Sequence, residues 1–157
     1  MKEIYAVDAR KEACGRYGTF IKLTDYEAFS GTGWECWMTE GICIDQSAGI
    51  GICHCDSVQP FILDKMKKSD GQKLIICGTQ RMILTVAGRE DSLSPGIDSI
   101  EAFILNPGEI ILLQPGVWYD ICRGVTGPVD YFELLSGRNE ICSQIEGGSL
   151  RIVLKNE

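Results

Sequence analysis

From residue 19 onward the chain falls into short apolar or alternating segments at fairly even spacing, and the gaps between them are rich in Gly, Pro, Asp and Asn. The segments are Thr19–Leu23, Trp34–Thr39, Ile50–Cys55, Leu74–Cys77, Met82–Ala87, Ile100–Leu105, Glu109–Leu113, Trp118–Cys122, Tyr131–Leu135 and Leu150–Leu154. The gaps include Gly31-Thr32-Gly33, Ser69-Asp70-Gly71, Ser94-Pro95-Gly96, Asn106-Pro107-Gly108, Gln114-Pro115-Gly116, Gly127-Pro128 and Gly147-Gly148, each supplying a fixed or a positive φ. About ten strands in one chain, with no second long helix, predict an all-β sandwich or barrel.

One short helix is expected between Asp8 and Tyr17, with Asp8 as its N-cap, Glu12 and Ala13 as helix formers, and Gly15 and Gly18 as breakers. Leu63–Lys68 reads either as a further short helix or as an exposed strand with a basic face. The chain has 157 residues and shows no internal repeat, low-complexity tract or linker, so residues 1–157 are expected to form a single domain.

Acidic residues outnumber basic ones by 22 to 15, for a net charge of −7. A nucleic-acid surface needs the opposite sign, so no nucleic-acid partner is expected. Met1-Lys2-Glu3-Ile4-Tyr5 does not begin an export signal, and apolar runs such as Ile110–Leu113 are too short to span a bilayer. The expectation is a soluble, cytoplasmic protein with no membrane partner. In that setting the eight cysteines are expected to be mostly reduced, buried thiols rather than a disulfide framework.

His54 is the only histidine, which removes HExxH zinc sites and multi-histidine metal centres. Cys53-His54-Cys55 is the remaining metal candidate, but on a strand the two cysteines face one side and His54 the other, so the three cannot close on one ion. No CxxC pair exists, and no metal is expected. A nucleophilic cysteine close to His54 in space stays open. Gly88-Arg89-Glu90-Asp91 and the other glycine turns form neither GxxxxGK[ST] nor GxGxxG, so no nucleotide cofactor is expected.

Lys65, Lys67, Lys68 and Lys73 form a basic cluster in an acidic chain. One reading is a solvated strand edge that discourages pairing. The other singles out Lys73, at the head of Leu74-Ile75-Ile76-Cys77, as a cation at a barrel mouth that meets an anionic ligand. Trp34, Trp37 and Trp118 fit core or rim packing as well as recognition.

The stretch Asn106-Pro107-Gly108-Glu109-Ile110-Ile111-Leu112-Leu113-Gln114-Pro115-Gly116-Val117-Trp118-Tyr119 resembles the second motif of the cupin superfamily: a glycine turn, a strand, a Pro-Gly turn, then a ligand-facing residue. A closer resemblance is to ureidoglycolate lyase, carried by Ile100-Glu101-Ala102-Phe103-Ile104, Gly116-Val117-Trp118-Tyr119 and Asp130-Tyr131-Phe132. Tyr17-Gly18, Val58-Gln59-Pro60 and the Met82–Gly88 segment follow in the same order, so the likeness runs from about Glu12 to Cys142.

The resemblance implies a cupin-like β-barrel (jelly roll), a homodimer, and cleavage of ureidoglycolate to glyoxylate and urea. The family's imidazoles and some of its other polar residues are replaced here: Lys73 stands for a glutamine, Gln114 for a histidine, Tyr119 and Asp120 for later histidines, and Glu101 for an arginine. The expected catalytic set is Lys73, Tyr119, Asp120 and His54, with Glu101, Gln114 and Trp118 as ligand contacts. Such a set supplies acid and base without a cofactor. The substrate class it implies is a small polar or anionic metabolite, a ureide, hydroxy acid or sugar derivative, handled by lyase or isomerase chemistry. A non-catalytic small-molecule-binding cupin is the alternative. Alternation allows only one of Tyr119 and Asp120 to point inward, and Tyr119 is the expected one.

Overall fold

The computed structural model describes residues 1–89 and 92–155; Glu90 and Asp91 of the Gly88 turn lie outside the described residues. In chain order the strands are β1 (Lys2–Asp8), β2 (Gly18–Lys22), β3 (Phe29–Gly31), β4 (Trp34–Cys36), β5 (Gly49–Cys55), β6 (Phe61–Leu63), β7 (Lys65–Ser69) and β8 (Lys73–Cys77). There follow β9 (Met82–Ala87), β10 (Ile100–Leu105), β11 (Glu109–Leu113), β12 (Trp118–Tyr119), β13 (Arg123–Gly124), β14 (Val129–Leu135), β15 (Glu140–Gln144) and β16 (Leu150–Leu154). One helical turn, α1 (Lys11–Cys14), interrupts them after β1.

These strands form a nine-stranded sheet ordered β15-β7-β12-β9-β10-β1-β16-β6 with β13 beside β9, a five-stranded sheet ordered β2-β11-β8-β14-β5, and the small hairpin β3-β4. The all-β barrel expected from the segment pattern is what the chain adopts. The two large sheets face each other across a core that includes Met82, Leu84 and Val86 of β9, Phe103 and Leu105 of β10, and Ile75, Ile111 and Leu113 of the smaller sheet. Alternate residues of the same strands, Ile83, Ala87, Ala102 and Ile104, point the other way into a second core with Trp118, Leu63, Met66 and Ile152. The larger sheet curls over that second core, so β9 and β10 are buried on both faces and are apolar at every position but Thr85 and the half-buried Glu101.

Three expectations need correction. Asp8 does not cap the helix: it ends β1, which pairs in parallel with β10 and β16, and Arg10 takes the N-cap position without a side-chain bond. Leu63–Lys68 spans the end of β6 and most of β7, and β7 has neighbours on both sides, β15 and β12, so its lysines do not line a free edge. Of the eight thiols, all free, Cys14, Cys77 and Cys122 are buried, Cys53 and Cys55 partly so, and Cys36, Cys43 and Cys142 are exposed; burial is therefore not the common condition. The turns at Gly108 and Gly116 both take φ of +84°, which a side chain would strain, as the Asn-Pro-Gly and Gln-Pro-Gly sequences require.

Candidate functional site at one rim of the barrel

The Gln114-Pro115-Gly116 turn sends the chain into Val117, Trp118 and Tyr119, whose side chains alternate. Val117 and Tyr119 join the barrel core, and Trp118 joins the second core. Tyr119 lies opposite Val86, and Val86 lies opposite Glu101, so Tyr119 and Glu101 share one row across the inner face of the large sheet. Lys67 lies opposite Tyr119 on the other side and continues the row.

On the smaller sheet Lys73 heads β8, opposite Leu113 and Leu135. The whole Lys73 residue is 8% exposed. Its ammonium sits 4.1 Å from the Tyr119 ring centre and 2.9 Å from Glu133 Oε2. The Tyr119 hydroxyl donates to Glu140, which also lies 3.5 Å from Lys67 Nζ. Along the rim the Tyr17 hydroxyl donates to Glu101, with Arg16 bonded to the same carboxylate at 2.5 Å. Three cations and three carboxylates thus alternate around two tyrosines.

Burial, added to the neighbouring carboxylates, pushes the Tyr17 and Tyr119 hydroxyls well above the ordinary phenol range, so both are proton donors at neutral pH. Burial also raises Cys53, with Tyr131, Glu133 and Lys73 close enough to act on it. Beside Glu133 the wall is bare. A Cβ at Gly51 would meet only the Glu133 side chain, at 3.7 Å, and one at Gly49 would meet nothing within 4 Å.

Two interlocking turns hold these groups. Ser136 N–H donates to Gln72 O at 3.0 Å, Gln72 N–H to Ser136 Oγ at 2.9 Å, and Asp70 accepts from the Arg138 and Asn139 amides. The backbones meet so closely that a Cβ on Gly71 would lie 2.0 Å from Gly137 N. The clamp joins the turn before Lys73 to the segment between Glu133 and Glu140.

Of the residues expected at the site, Lys73, Tyr119 and Glu101 share this rim. Gln114 is half-buried in the preceding turn, where its backbone N–H donates to Tyr17 O. Trp118 is buried in the second core, on the opposite face from Tyr119. Asp120 is tied by a 2.6 Å ion pair to Arg123, whose guanidinium covers Phe61 of the second core; the pair braces structure there. His54 points outward, between Asp130 and Asp56, while its neighbours Cys53 and Cys55 face the barrel. It is therefore not near Lys73.

Glu133 and Glu140 were missed by sequence reasoning. Glu133 had a signal, because it shares the inward set of β14 with Val129 and Tyr131. Among the described residues no three His, Cys, Asp or Glu side chains gather where they could hold a metal ion. A groove of about 1200 Å³ runs along β1 and β16, but its charges are surface pairs such as Arg151 with Glu3. At the rim, by contrast, the charges gather around the buried Lys73, Tyr17 and Tyr119.

No protein-family model matches the chain, and no curated protein matches it. Among solved structures, the dTDP-6-deoxy-D-glucose-3,5-epimerase RmlC of Legionella pneumophila, in complex with dTDP-4-keto-L-rhamnose, aligns with a TM-score of 0.54 at 9% identity over 78% of this chain and 70% of that one. RmlC of Streptococcus suis, in complex with dTDP-D-xylose, aligns with a TM-score of 0.46 at 10% identity over 59% of this chain and 45% of that one. Peruvianin-I, described as a cysteine peptidase of Thevetia peruviana latex, aligns with a TM-score of 0.45 at 14% identity, over 62% and 55%. This chain spans about half the length of the last two. At such identity the likeness is one of fold: the chain is an all-β, cupin-like barrel whose rim carries its own set of polar residues.

Proposed function

We propose that the chain is a cytosolic, homodimeric cupin whose rim binds a small polar or anionic metabolite, a hydroxy acid, ureide or sugar derivative, and acts on it by proton transfer. The observation that carries this is the Lys73 ammonium, buried between the Glu133 carboxylate and the Tyr119 ring beside a wall of two glycines. A charge is desolvated at such cost only when it is paired, and here the paired charges sit beside free space. An ammonium suits a substrate carboxylate, Glu133 suits the role of base, and the Tyr119 O–H suits that of acid.

The finer form of this reading is ureidoglycolate-lyase-like. Glu133 takes the hydroxyl proton of a ureido-substituted hydroxy acid, the carbon–nitrogen bond breaks as the carbonyl forms, and Tyr119 protonates the departing urea nitrogen. Isomerisation of a sugar derivative uses the same pair, with a carbon proton removed and returned. A second reading, a binder without catalysis, is favoured by the resting contacts, because Glu133 is already bonded to Lys73 and Tyr119 to Glu140.

The test screens hydroxy acids, ureides and sugar acids by thermal shift, with the K73M/E133L variant alongside; a specific ligand raises the wild-type midpoint by mass action. Hits are then incubated in D2O and followed by proton NMR. Deuterium incorporation or product formation supports catalysis, and a shift without either supports the binder. Equal shifts in wild type and variant would remove the rim from consideration.

A further inference from the structure

The outward face of the five-stranded sheet is apolar across its width. One row runs Ile52, Phe132, Ile76, Ile110, Ile21, and the next runs Ile50, Leu134, Leu74, Leu112. At the β2 and β11 end this face is covered by Leu23 and Ile42. At the β5 end it is bare: Ile50, Ile52 and Phe132 are 77%, 65% and 49% exposed.

The edge itself is unguarded. β6 is three residues long and follows Pro60, β2 ends in Lys22, and β15 begins at Glu140. β5 runs seven residues, Gly49-Ile50-Gly51-Ile52-Cys53-His54-Cys55, and among the described residues no strand pairs with its far side. Its first five positions hold neither a charge nor a proline, the devices that keep edges single.

We propose that this edge binds a second copy of the chain, with β5 pairing antiparallel to the partner's β5 about a two-fold axis at Gly51. This rests on the two-copy part of the reading above and assigns a surface to it. The axis position follows from side-chain matching. Centred on Gly51, each Ile50 lies opposite an Ile52 of the other copy and both apolar rows continue into the second sheet. Centred on Ile52, Ile50 would face His54 instead. A two-fold interface must be self-complementary, and only an apolar edge with this repeat meets its own image without unpaired charge.

The test is the solution mass of full-length protein by sedimentation velocity and light scattering. Wild type is expected to be a dimer at micromolar concentration. I50K and I52E, each with an unchanged circular-dichroism melt, are expected to weaken it by at least about tenfold, because each sets a charge against isoleucine. The double variant I50K/I52E sets lysine opposite glutamate at both symmetric positions and is expected to recover the dimer. If a single variant fails to fold, hydrogen exchange on wild type replaces it, with protection of residues 49–55 expected to rise with protein concentration. A dimer unmoved by the single variants, or not recovered in the double, overturns this surface but leaves the two-copy reading. A monomeric wild type overturns both.

Discussion

His54 has a carboxylate acceptor beside each ring nitrogen, Asp130 at 2.7 Å from Nδ1 and Asp56 at 2.9 Å from Nε2, and these hydrogen bonds, the one to Asp130 first, raise its pKa above the ordinary imidazole value. A raised folded pKa means that the stabilisation is fully present below the unfolded value and is lost as pH rises through the folded one. Proton NMR of this single histidine should therefore give a midpoint above about 6.5, and D130N should lower it. A midpoint equal in both proteins would show that the pair does not persist in solution. Lys73 carries a second prediction at this scale. K73M leaves Glu133 half-buried without its partner and should cost about 1–3 kcal/mol of unfolding free energy. K73M/E133L should recover most of that, while both variants lose anionic-ligand affinity by about ten- to a hundredfold. Denaturant melts and ligand titrations on the pair separate folding from binding.

Among the elements, the clamp between the turn at Gly71 and the segment at Gly137 sets where Lys73, Glu133 and Glu140 stand. G71A should cost about 1–3 kcal/mol, since backbone must move to admit the methyl group, and should weaken ligand binding although residue 71 touches no ligand. An unchanged urea midpoint would mean that the turns separate easily. Asp70 supplies the electrostatic half of the clamp: amide and side-chain bonds from Asn139, with the Arg138 amide, hold its carboxyl below the usual range. That contribution is present above the unfolded pKa and fades as pH falls through the folded one, so D70N should flatten the acid limb of stability against pH. None of this pairing was legible in the sequence. Ser69-Asp70-Gly71 read as a turn, but its partner turn lies 66 residues later, and only the β8 and β14 pairing brings the two together.

For the whole molecule, thiol reactivity reports the packing. Cys36, Cys43 and Cys142 should react quickly with Ellman's reagent in native protein, Cys53 and Cys55 slowly, and Cys14, Cys77 and Cys122 only on unfolding. Burial removes access and disfavours the thiolate, with Cys77 pushed up to about 12. Eight rapidly reacting thiols would show that the two sheets do not close as described. No helix among the described residues is long and apolar enough to cross a membrane.

By itself the sequence determined the principal strands of the two large sheets, β2, β5, β8–β11, β14 and β16, the turns at Gly108 and Gly116, and the inward direction of Tyr119. These depend on period-two alternation and on positive φ at glycine, both local properties of the chain. It also marked Lys73 as a charge at the head of an apolar strand. β1 was hidden because its alternation is weak and it is held by parallel pairing with β10 and β16, a distant contact that composition near Lys2 does not record. The tertiary structure alone decided which polar residues meet. Asp120 and His54 are as polar as Glu133, but one braces the second core and the other faces out. Glu133 and Glu140 reach the rim because sheet register and the clamp bring distant strands to one end of the barrel.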